Sequence, residues 1–178
     1  MRAAGRGDHH ACEQLVTTHL ARIVAFADRM LGDHHEAEDV AQETFTRLWQ
    51  HAARWRPGRA RLSTWLHRVA SNLCIDRLRR RRESALDDAP ALLDPAPGPA
   101  EHAHRRELGQ HVRGALLALP ERQRLALTLC HYQGLPQIEA AEIMEVTVDA
   151  LESLLARGRR GMRGRLRDVA ADLLGSAP

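Results

Sequence analysis

The sequence predicts an all-α protein of two small helical domains joined by a flexible Pro-rich linker, with a helix-turn-helix in the C-terminal domain. Apolar residues recur with the helical period in every periodic segment, and no segment alternates like a strand. Four of the eight prolines fall between Pro90 and Pro99, which is typical of an extended linker. We therefore expect domains at 8–84 and 107–174, with the linker at 85–106 between them.

Three helices are predicted in the first domain. The first spans about 11–31 and ends at Gly32, a residue that tolerates the left-handed conformation of a helix C-terminus. Asp33, followed three residues later by Glu36, resembles a capping box and predicts the start of the second helix. A loop rich in arginine follows, and the third helix is expected to begin near Ser63 and Thr64.

The second domain is predicted to contain a helix from about residue 101, a second helix opened by Pro120, and a helix-turn-helix at 134–160. Gly134 is expected to end the preceding helix, and Pro136 suits a first helical position. The first helix of the motif has an expected apolar face formed by Ile138, Ala141, Ile143 and Met144.

The turn of this motif is predicted at the three residues from Glu145 to Thr147. Thr147 is a candidate N-cap for the second helix, and Asp149 lies in its first turn, where a negative charge is favourable. Leu151, Leu154 and Leu155 are expected to pack back on the first helix. The second helix of such a motif can lie in the major groove of DNA.

The charge pattern indicates a polyanionic partner. All 26 basic residues are arginine, and the net charge of +3 hides two separate arginine blocks, at 77–82 and 157–167. For a single block a solvated helix face is the favoured interpretation, but two blocks, one beside a helix-turn-helix, favour nucleic acid.

The cysteines, the apolar runs and the histidines indicate the compartment of the protein and the ligands it needs. Cys12, Cys74 and Cys130 form no CxxC pair, which is typical of a reducing compartment. There is no apolar run of signal-peptide type, so we expect a cytoplasmic protein. The cluster of His9, His10 and Cys12 and the pair His34–His35 lack a second ligand cluster at zinc spacing, and we expect neither a metal nor a cofactor.

One helical face of the first domain is acidic. Asp39, Gln42 and Glu43 are spaced i, i+3, i+4 and therefore share one side of the second helix. The face is either a solvated helix front or a docking surface for a basic protein. Catalysis by the paired carboxylates is not expected, because no nucleophile, Gly-rich loop or metal motif completes a site.

The loop and helix at 54–82 interleave tryptophan with arginine, a combination that suits single-stranded nucleic acid. Trp65 has the spacing of a core residue, whereas Trp55 in the loop is freer to stack on a base. The candidate residues for binding a strand are Trp55, Arg56, Arg59, Arg61, Asn72, Asp76, Arg77 and Arg80.

These segments resemble a known family. HHEAEDVAQETFTRLWQ, followed by RWRPGRARLSTWLHRVASNLCIDRLRRRR, resembles the polymerase-binding and −10-reading segments of bacterial sigma-70 factors. ALLALPERQRLALTLCHYQGLPQIEAAEIMEVTVDALESLLARGRR resembles their −35-reading C-terminal domain. The short chain with two domains and one linker is similar to the extracytoplasmic-function (ECF) group.

The resemblance implies a role for each segment. Asp39, Gln42 and Glu43 match the surface that binds core RNA polymerase, and the loop at 56–61 matches the segment that captures a base flipped from the −10 strand. The helix at 63–80 matches the surface that holds the melted strand, and the linker matches the segment that threads toward the polymerase active site. The matching −35 residues are Thr147, Val148, Asp149, Ala150, Glu152, Ser153, Arg157 and Arg160.

The family also implies a further partner, an anti-sigma factor, and a mechanism of binding rather than catalysis. Two departures from the family pattern stand out. Glu145 replaces the usual glycine of the turn, where a left-handed conformation costs a non-glycine residue about 1 kcal/mol. The recognition helix carries Glu152 where basic residues are common. The alternative is a helix-turn-helix regulator or polymerase adaptor on the same scaffold that does not melt promoters.

Overall fold

A computed structural model of the chain describes residues 3–52, 55, 61–85 and 100–175, with the side chains of 3–52, 55, 61–84 and 107–167. Over these ranges the structure contains helices and no strand, as the sequence predicts. A short 3₁₀ turn, Ala4–Arg6, precedes the main helices. These are α1 (His9–Leu31), α2 (His34–Ala52), α3 (Leu62–Ala85), α4 (Ala100–Leu117), α5 (Glu121–Leu127), α6 (Gln137–Met144) and α7 (Val148–Gly175).

Local capping explains the boundaries of the first three helices. The Asp8 carboxylate accepts a hydrogen bond from the backbone N–H of Ala11 at 3.1 Å, so α1 begins two residues before the predicted start. Gly32 ends α1 in the left-handed conformation, with φ at 74°. The Asp33 carboxylate accepts from the Glu36 N–H at 3.0 Å, which confirms the predicted cap of α2.

The helices α1, α2 and α3 form the first unit around a common apolar core. Their apolar faces meet because each helix carries large apolar residues at the helical period. Burying one such side chain contributes about 1.5–3 kcal/mol. The fully buried side chains include Ile23, Phe26, Met30, Val40, Leu48 and Leu66.

The helices α4 to α7 form the second unit, whose buried residues include Leu116, Leu125, Leu129, Leu151 and Leu155. The helix α5 continues into a π-helical turn, Thr128–Tyr132, in which the Gln133 N–H donates to the Thr128 carbonyl oxygen at 3.0 Å. Gly134 follows with φ at 67° and directs the chain into α6. Pro136 precedes the first residue of α6 instead of occupying its first position.

The C-terminal turn of α1 is where the two units join. The last four carbonyl groups of a helix have no partner within it. Here the carbonyl oxygen of Met30 accepts from Arg124 Nη1 of α5 at 2.5 Å, and that of Leu31 accepts from Arg81 Nη1 of α3 at 2.9 Å. Arg113 of α4 binds both carboxylate oxygens of Asp28, at 2.6 and 2.9 Å.

Apolar packing continues across this joint, so the buried residues of both units form a single cluster. The sequence predicts two domains but gives no indication that they pack together, since the contacting residues lie 85 to 94 positions apart in the pairs Asp28–Arg113 and Met30–Arg124. The boundaries 8–84, 85–106 and 107–174 stay a prediction. In the part of the chain that the structure describes, no helix is long and apolar enough to cross a membrane.

Gly32 provides a test of the packing between the units. A Cβ at this position would lie 2.8 Å from Leu117 Cδ1 of α4, whereas a Cβ at Gly134 would meet nothing within 4 Å. Both glycines have positive φ. We expect Gly134→Ala to lower the free energy of unfolding by about 1 kcal/mol through backbone strain alone. Gly32→Ala should lower it by roughly 2–3 kcal/mol, because crowding is added to the strain.

Urea unfolding followed by circular dichroism measures both values. Leu117→Ala should remove the crowding, so that Gly32→Ala costs about 1 kcal/mol in that background, as at Gly134. An equal loss for Gly32→Ala in both backgrounds would contradict the contact between α4 and the end of α1.

Candidate nucleic-acid interface

The predicted acidic face of α2 is present on the surface. Asp39 and Gln42 are exposed, and Glu43 is half-buried beside Arg47, whose Nε donates to Glu43 Oε1 at 2.8 Å. The three residues lie along one side of α2, as their spacing predicts. Asp39 and Gln42 therefore present polar groups to solvent, while Glu43 forms an ion pair within the helix.

A groove between α2 and α3 brings two predicted sites together. Asp39, Gln42 and Glu43 line its α2 side, and Asp76, Arg77 and Arg80 line its α3 side. The sequence treats the acidic face and the arginine block as separate surfaces. Their helices pack side by side, so the groove has one acidic and one largely basic wall.

Several members of the arginine block of α3 contact acceptors within the protein. Arg77 is half-buried and donates to the Glu36 carbonyl oxygen at 2.7 Å, while Arg81 donates to the Leu31 carbonyl. Arg82 forms an ion pair with Glu121 of α5 at 2.5 Å. Arg80, Arg81 and Arg82 are exposed. The interpretation of the block as a polyanion contact stays a prediction.

The other strand-binding candidates of α3 and its preceding loop differ in exposure. Asn72 is exposed, and Asp76 accepts from Arg79 at 3.1 Å. Trp65 is half-buried, with its ring stacked on His51 at 5.7 Å, and Trp55 meets Trp65 edge-on with 6.0 Å between ring centroids. Arg56 and Arg59 lie outside the described residues.

The helix-turn-helix is formed by α6 and α7 with the turn at the predicted residues. Glu145 has φ of 54° and ψ of 48°, so the turn is left-handed despite the absence of glycine. The Thr147 Oγ1 accepts from the Ala150 N–H at 3.2 Å and caps α7 as predicted. The prediction for Ile138 is wrong: it is 65% exposed, because the buried face of α6 is formed by Ala140, Ala141, Ile143 and Met144.

The outer surface of α7 contains most of the predicted duplex-binding residues. Leu151 and Leu155 are buried and Val148 and Leu154 are half-buried, which fixes the orientation of the helix. Val148 packs against the core and thus contributes little to the outer surface. The exposed candidates are Thr147, Asp149, Ala150, Glu152, Ser153, Arg157 and Arg160.

Sequence reasoning missed the contacts between α3 and the helix-turn-helix. Thr64 Oγ1 donates to Glu139 Oε2 at 2.6 Å, and Arg61 Nη1 lies 3.3 Å from Glu139 Oε1. Arg68 forms an ion pair with Glu145. The unusual glutamate in the turn was a signal that this position has a polar partner, but the sequence does not identify it.

Two apolar grooves were also missed. One lies between α1 and α2 and adjoins Gln42; it is lined by Val16, Leu20, Val24, Phe45 and Trp49. The other lies in the second unit and is lined by Leu116, Leu127, Tyr132, Arg159 and Met162. Exposed apolar residues such as Leu20 and Tyr132 were the available signals for these grooves.

His67 is a buried titratable group where α3 meets the second unit. Its Nδ1 lies 2.7 Å from the Ser63 carbonyl oxygen, which only accepts, so the proton is on Nδ1. Its ring packs edge-on against Phe26 at 5.5 Å. Burial lowers the pKa of His67, and the charge of Arg22 adds to this effect, while the contacts with Ser63, Gln133 and Glu139 oppose it.

Other reactive groups do not assemble into a site. Burial raises the pKa of the Cys74 thiol to about 12, so this thiol stays protonated at neutral pH. Among the described residues, no group of three or more His, Cys, Asp or Glu side chains is placed to hold a metal ion.

Comparison with known proteins identifies the two units. The family described as "Sigma-70 region 2" matches residues 15–84, and "Sigma-70, region 4" matches residues 110–162. The chain is 34% identical over 169 residues to the ECF RNA polymerase sigma factor SigE of Mycolicibacterium smegmatis, covering 93% of this chain and 65% of that relative. It is 31% identical over 175 residues to the ECF sigma factor SigW of Bacillus subtilis, covering 92% and 93%.

Two solved structures resemble the fold. The sigma factor RpoE in complex with the anti-sigma factor NepR from Bartonella quintana matches with a TM-score of 0.71 and 25% identity, over 87% of this chain and 96% of that one. CnrH in complex with the cytosolic domain of CnrY matches with a TM-score of 0.69 and 28% identity, over 93% of each chain.

The buried His67 makes stability depend on pH. Because its folded-state pKa lies below the unfolded value of 6.5, the unfolded chain binds a proton that the folded chain does not bind between these two values. The free energy of unfolding should therefore fall as pH decreases through this window and be unaffected by His67 above it. His67→Asn keeps a donor for the Ser63 carbonyl and should reduce the slope.

Urea unfolding at several values between about pH 7.5 and about pH 5.5 measures this slope. His35→Asn is the control, since the His35 side chain is 96% exposed in the folded protein. The assignment fails if His67→Asn and His35→Asn have the same pH dependence as the unsubstituted chain.

Proposed function

The chain belongs to the ECF group of the sigma-70 family, and on this premise we propose that it binds core RNA polymerase and directs transcription initiation at promoters with −10 and −35 elements. The observation that carries the proposal is the order of two units in one chain, a region 2 match at 15–84 and a region 4 match at 110–162. The first unit supplies a groove suited to a polymerase and a separated strand. The second supplies a helix-turn-helix for duplex DNA.

Recognition of the −35 element is assigned to the outer surface of α7. A recognition helix reads bases with side chains near its N-terminus and contacts phosphates with residues beside them. Glu152 and Ser153 are exposed in the first half of α7, and a glutamate can accept from the amino group of cytosine. Arg157 and Arg160 lie about one and two turns further on, where guanidinium groups suit the phosphate backbone.

The −10 element is assigned to α3 and the loop before it. Asn72 and Arg80 are exposed on α3, and Asp76 and Arg77 complete one wall of the groove. Trp55, Arg56, Arg59 and Arg61 belong to the loop that the family uses to capture a flipped base. Extruding a base costs a few kcal/mol, which stacking at about 1–3 kcal/mol per base offsets.

Binding of core polymerase is assigned to the acidic face, Asp39, Gln42 and Glu43. The neighbouring groove between α1 and α2 has an apolar lining and meets this face at Gln42. An apolar groove with a charged border suits an amphipathic helix of a basic partner. The surface therefore fits protein docking better than a solvated helix front.

An anti-sigma factor is the further partner we propose. Two structures that share this fold are complexes with an anti-sigma factor, NepR, and with the cytosolic domain of CnrY.

The role of the chain is binding rather than catalysis, in the cytoplasm where polymerase and chromosome meet. The affinity for duplex DNA should fall with rising salt, because each contact between an arginine and a phosphate lowers the logarithm of the binding constant by about 0.9 for a tenfold rise in salt concentration.

Runoff transcription with purified core polymerase tests the function. Genomic fragments should yield discrete transcripts that require the factor. The alternative, a helix-turn-helix regulator or polymerase adaptor that does not melt promoters, predicts binding to DNA or polymerase without such transcripts. That result would reject the sigma function.

The acidic face gives a sharper prediction. Asp39→Arg should weaken the affinity for core polymerase by about tenfold or more, because it places a positive charge against a basic partner. Glu13→Arg, an equal charge change at an exposed position of α1, is the control and should change the affinity little. Fluorescence anisotropy of labelled factor titrated with core polymerase measures both. Equal affinities would remove Asp39 from the interface.

The exposed residues of α3 give a second prediction. Asn72→Ala with Arg80→Ala should reduce the permanganate reactivity of thymines in the −10 element, because contacts with the separated strand are lost. Arg122→Ala removes the same positive charge at an exposed position of α5 and is the control for Arg80→Ala. Polymerase recruitment to the duplex should persist in all variants. Full thymine reactivity in the double variant would place strand capture elsewhere.

A further inference from the structure

The helix-turn-helix carries an unusual charge for a DNA-binding unit. Between residues 132 and 156 the sequence contains five carboxylate side chains and no arginine, lysine or histidine. Surfaces that bind DNA are normally basic, because they lie against phosphates. The arginines of α7 begin only at Arg157. Base pairs that lie against the first two turns of α7 therefore meet a surface without cationic side chains.

Three of these five carboxylates have a role in the fold. Glu139 accepts a hydrogen bond from Thr64 at 2.6 Å, and Glu145 forms an ion pair with Arg68. Asp149 is the second residue of α7, where a negative charge stabilises the N-terminus of a helix. The other two carboxylates require a different explanation.

Glu152 gains no comparable support from its own helix. It is the fifth residue of α7 and lies beyond the first turn, where the effect of the helix N-terminus has fallen off. Of the residues three and four positions away, Asp149 is a like charge and none is an arginine. The Glu152 carboxylate is exposed, so neither burial nor an ion pair within α7 accounts for it.

Glu152 lies on the side of α7 that faces away from the core of its unit. Leu151 and Leu155 are buried, and at about 100° per residue Ser153 lies opposite them. Glu152 is next to Ser153 on this exposed side. One turn further on is Ala156, whose methyl group is too short to cover the carboxylate. A base edge in the major groove can therefore reach the Glu152 side chain.

A carboxylate on this surface discriminates between bases by the groups that they present in the major groove. Cytosine presents its N4 amino group, whereas adenine presents an amino group beside the N7 acceptor. Guanine and thymine present acceptors, which repel a carboxylate because it only accepts hydrogen bonds. Phosphates repel it as well. The Glu152 carboxylate thus favours binding where a cytosine amino group meets it and opposes binding elsewhere.

We propose that Glu152 selects a cytosine, and hence one C·G base pair, within the −35 element. The proposal rests on the role in −35 recognition assigned to α7, and it names the base that this part of the helix reads. A carboxylate oxygen of Glu152 accepts from cytosine N4, while Arg157 and Arg160 hold the phosphate backbone further along the helix. Specificity and affinity are thus separated along α7.

Selection from a promoter library tests the assignment. Core polymerase carrying the factor is incubated with a factor-dependent promoter whose −35 element is randomised, and the bound fragments are isolated and sequenced. The unsubstituted chain should favour cytosine at one position by about tenfold over the other bases. Glu152→Gln should lose that preference and favour adenine there, because an amide can bind adenine N6 and N7 together.

Glu142→Gln is the control, because it removes the same charge from an exposed position of α6. This variant should keep the preference for cytosine. The proposal is overturned if the unsubstituted chain selects no cytosine, or if Glu152→Gln retains the preference. It is also overturned if Glu152→Gln only binds every sequence more tightly by the same factor, since the carboxylate then acts by repelling phosphates alone.

N4-methylcytosine probes the amino group itself. In a Watson–Crick pair its methyl group replaces the amino hydrogen that faces the major groove. At the selected position it should weaken binding by the unsubstituted factor with polymerase about tenfold, and binding by Glu152→Gln less than about twofold. Equal losses for both proteins would contradict a contact between Glu152 and the amino group.

Failure of this proposal and failure of the proposed function are distinguishable, because the same library can be offered to the full chain without polymerase. Factor-dependent runoff transcripts, together with a base preference that Glu152→Gln does not change, would leave a sigma factor without this contact. Selection of cytosine by the full chain that depends on Glu152, without any transcript, would retain the contact and reject the sigma function.

Discussion

The C-terminal turn of α1 is the point on which the rest of the structure depends. A helix end leaves carbonyl groups without partners, and burying them unpaired is costly. Here the Met30 and Leu31 carbonyls receive guanidinium groups from α5 and α3. Burial lowers the pKa of Arg124, and the nearby carboxylate of Glu121 opposes this effect. The same turn thereby fixes α3 within its own unit and the second unit against the first.

This constraint explains why the arginines are not equivalent. All 26 basic residues of the chain are arginine, and the polyanion prediction comes from the two blocks in which many of them cluster. The planar guanidinium group can also donate to backbone carbonyls within the protein, a task that suits the ammonium group of lysine less well. Arg77, Arg81 and Arg124 donate to carbonyl oxygens in this way. The exposed arginines of α3 and α7 can contact nucleic acid as well.

Local features were predictable from the sequence, and distant pairings were not. The caps at Asp33 and Thr147, the break at Glu145 and the end of a helix at Gly134 depend on neighbouring residues, and each is present. Ile138 was misassigned because an eight-residue helix offers too few turns to define its buried face. The Thr64–Glu139 contact joins residues 75 positions apart, and no periodicity encodes it. Consequently the two units were identified, whereas their packing and the shared groove of α2 and α3 were not.

The left-handed turn at Glu145 combines an unfavourable backbone conformation with a favourable ion pair. Glycine would relieve about 1 kcal/mol of backbone strain at this position. It would also remove the carboxylate that engages Arg68. Backbone strain and a contact between the two units are therefore opposed at a single residue. Engineering that optimises only the backbone conformation would favour glycine here, and the resulting protein would lose the ion pair between the turn and α3.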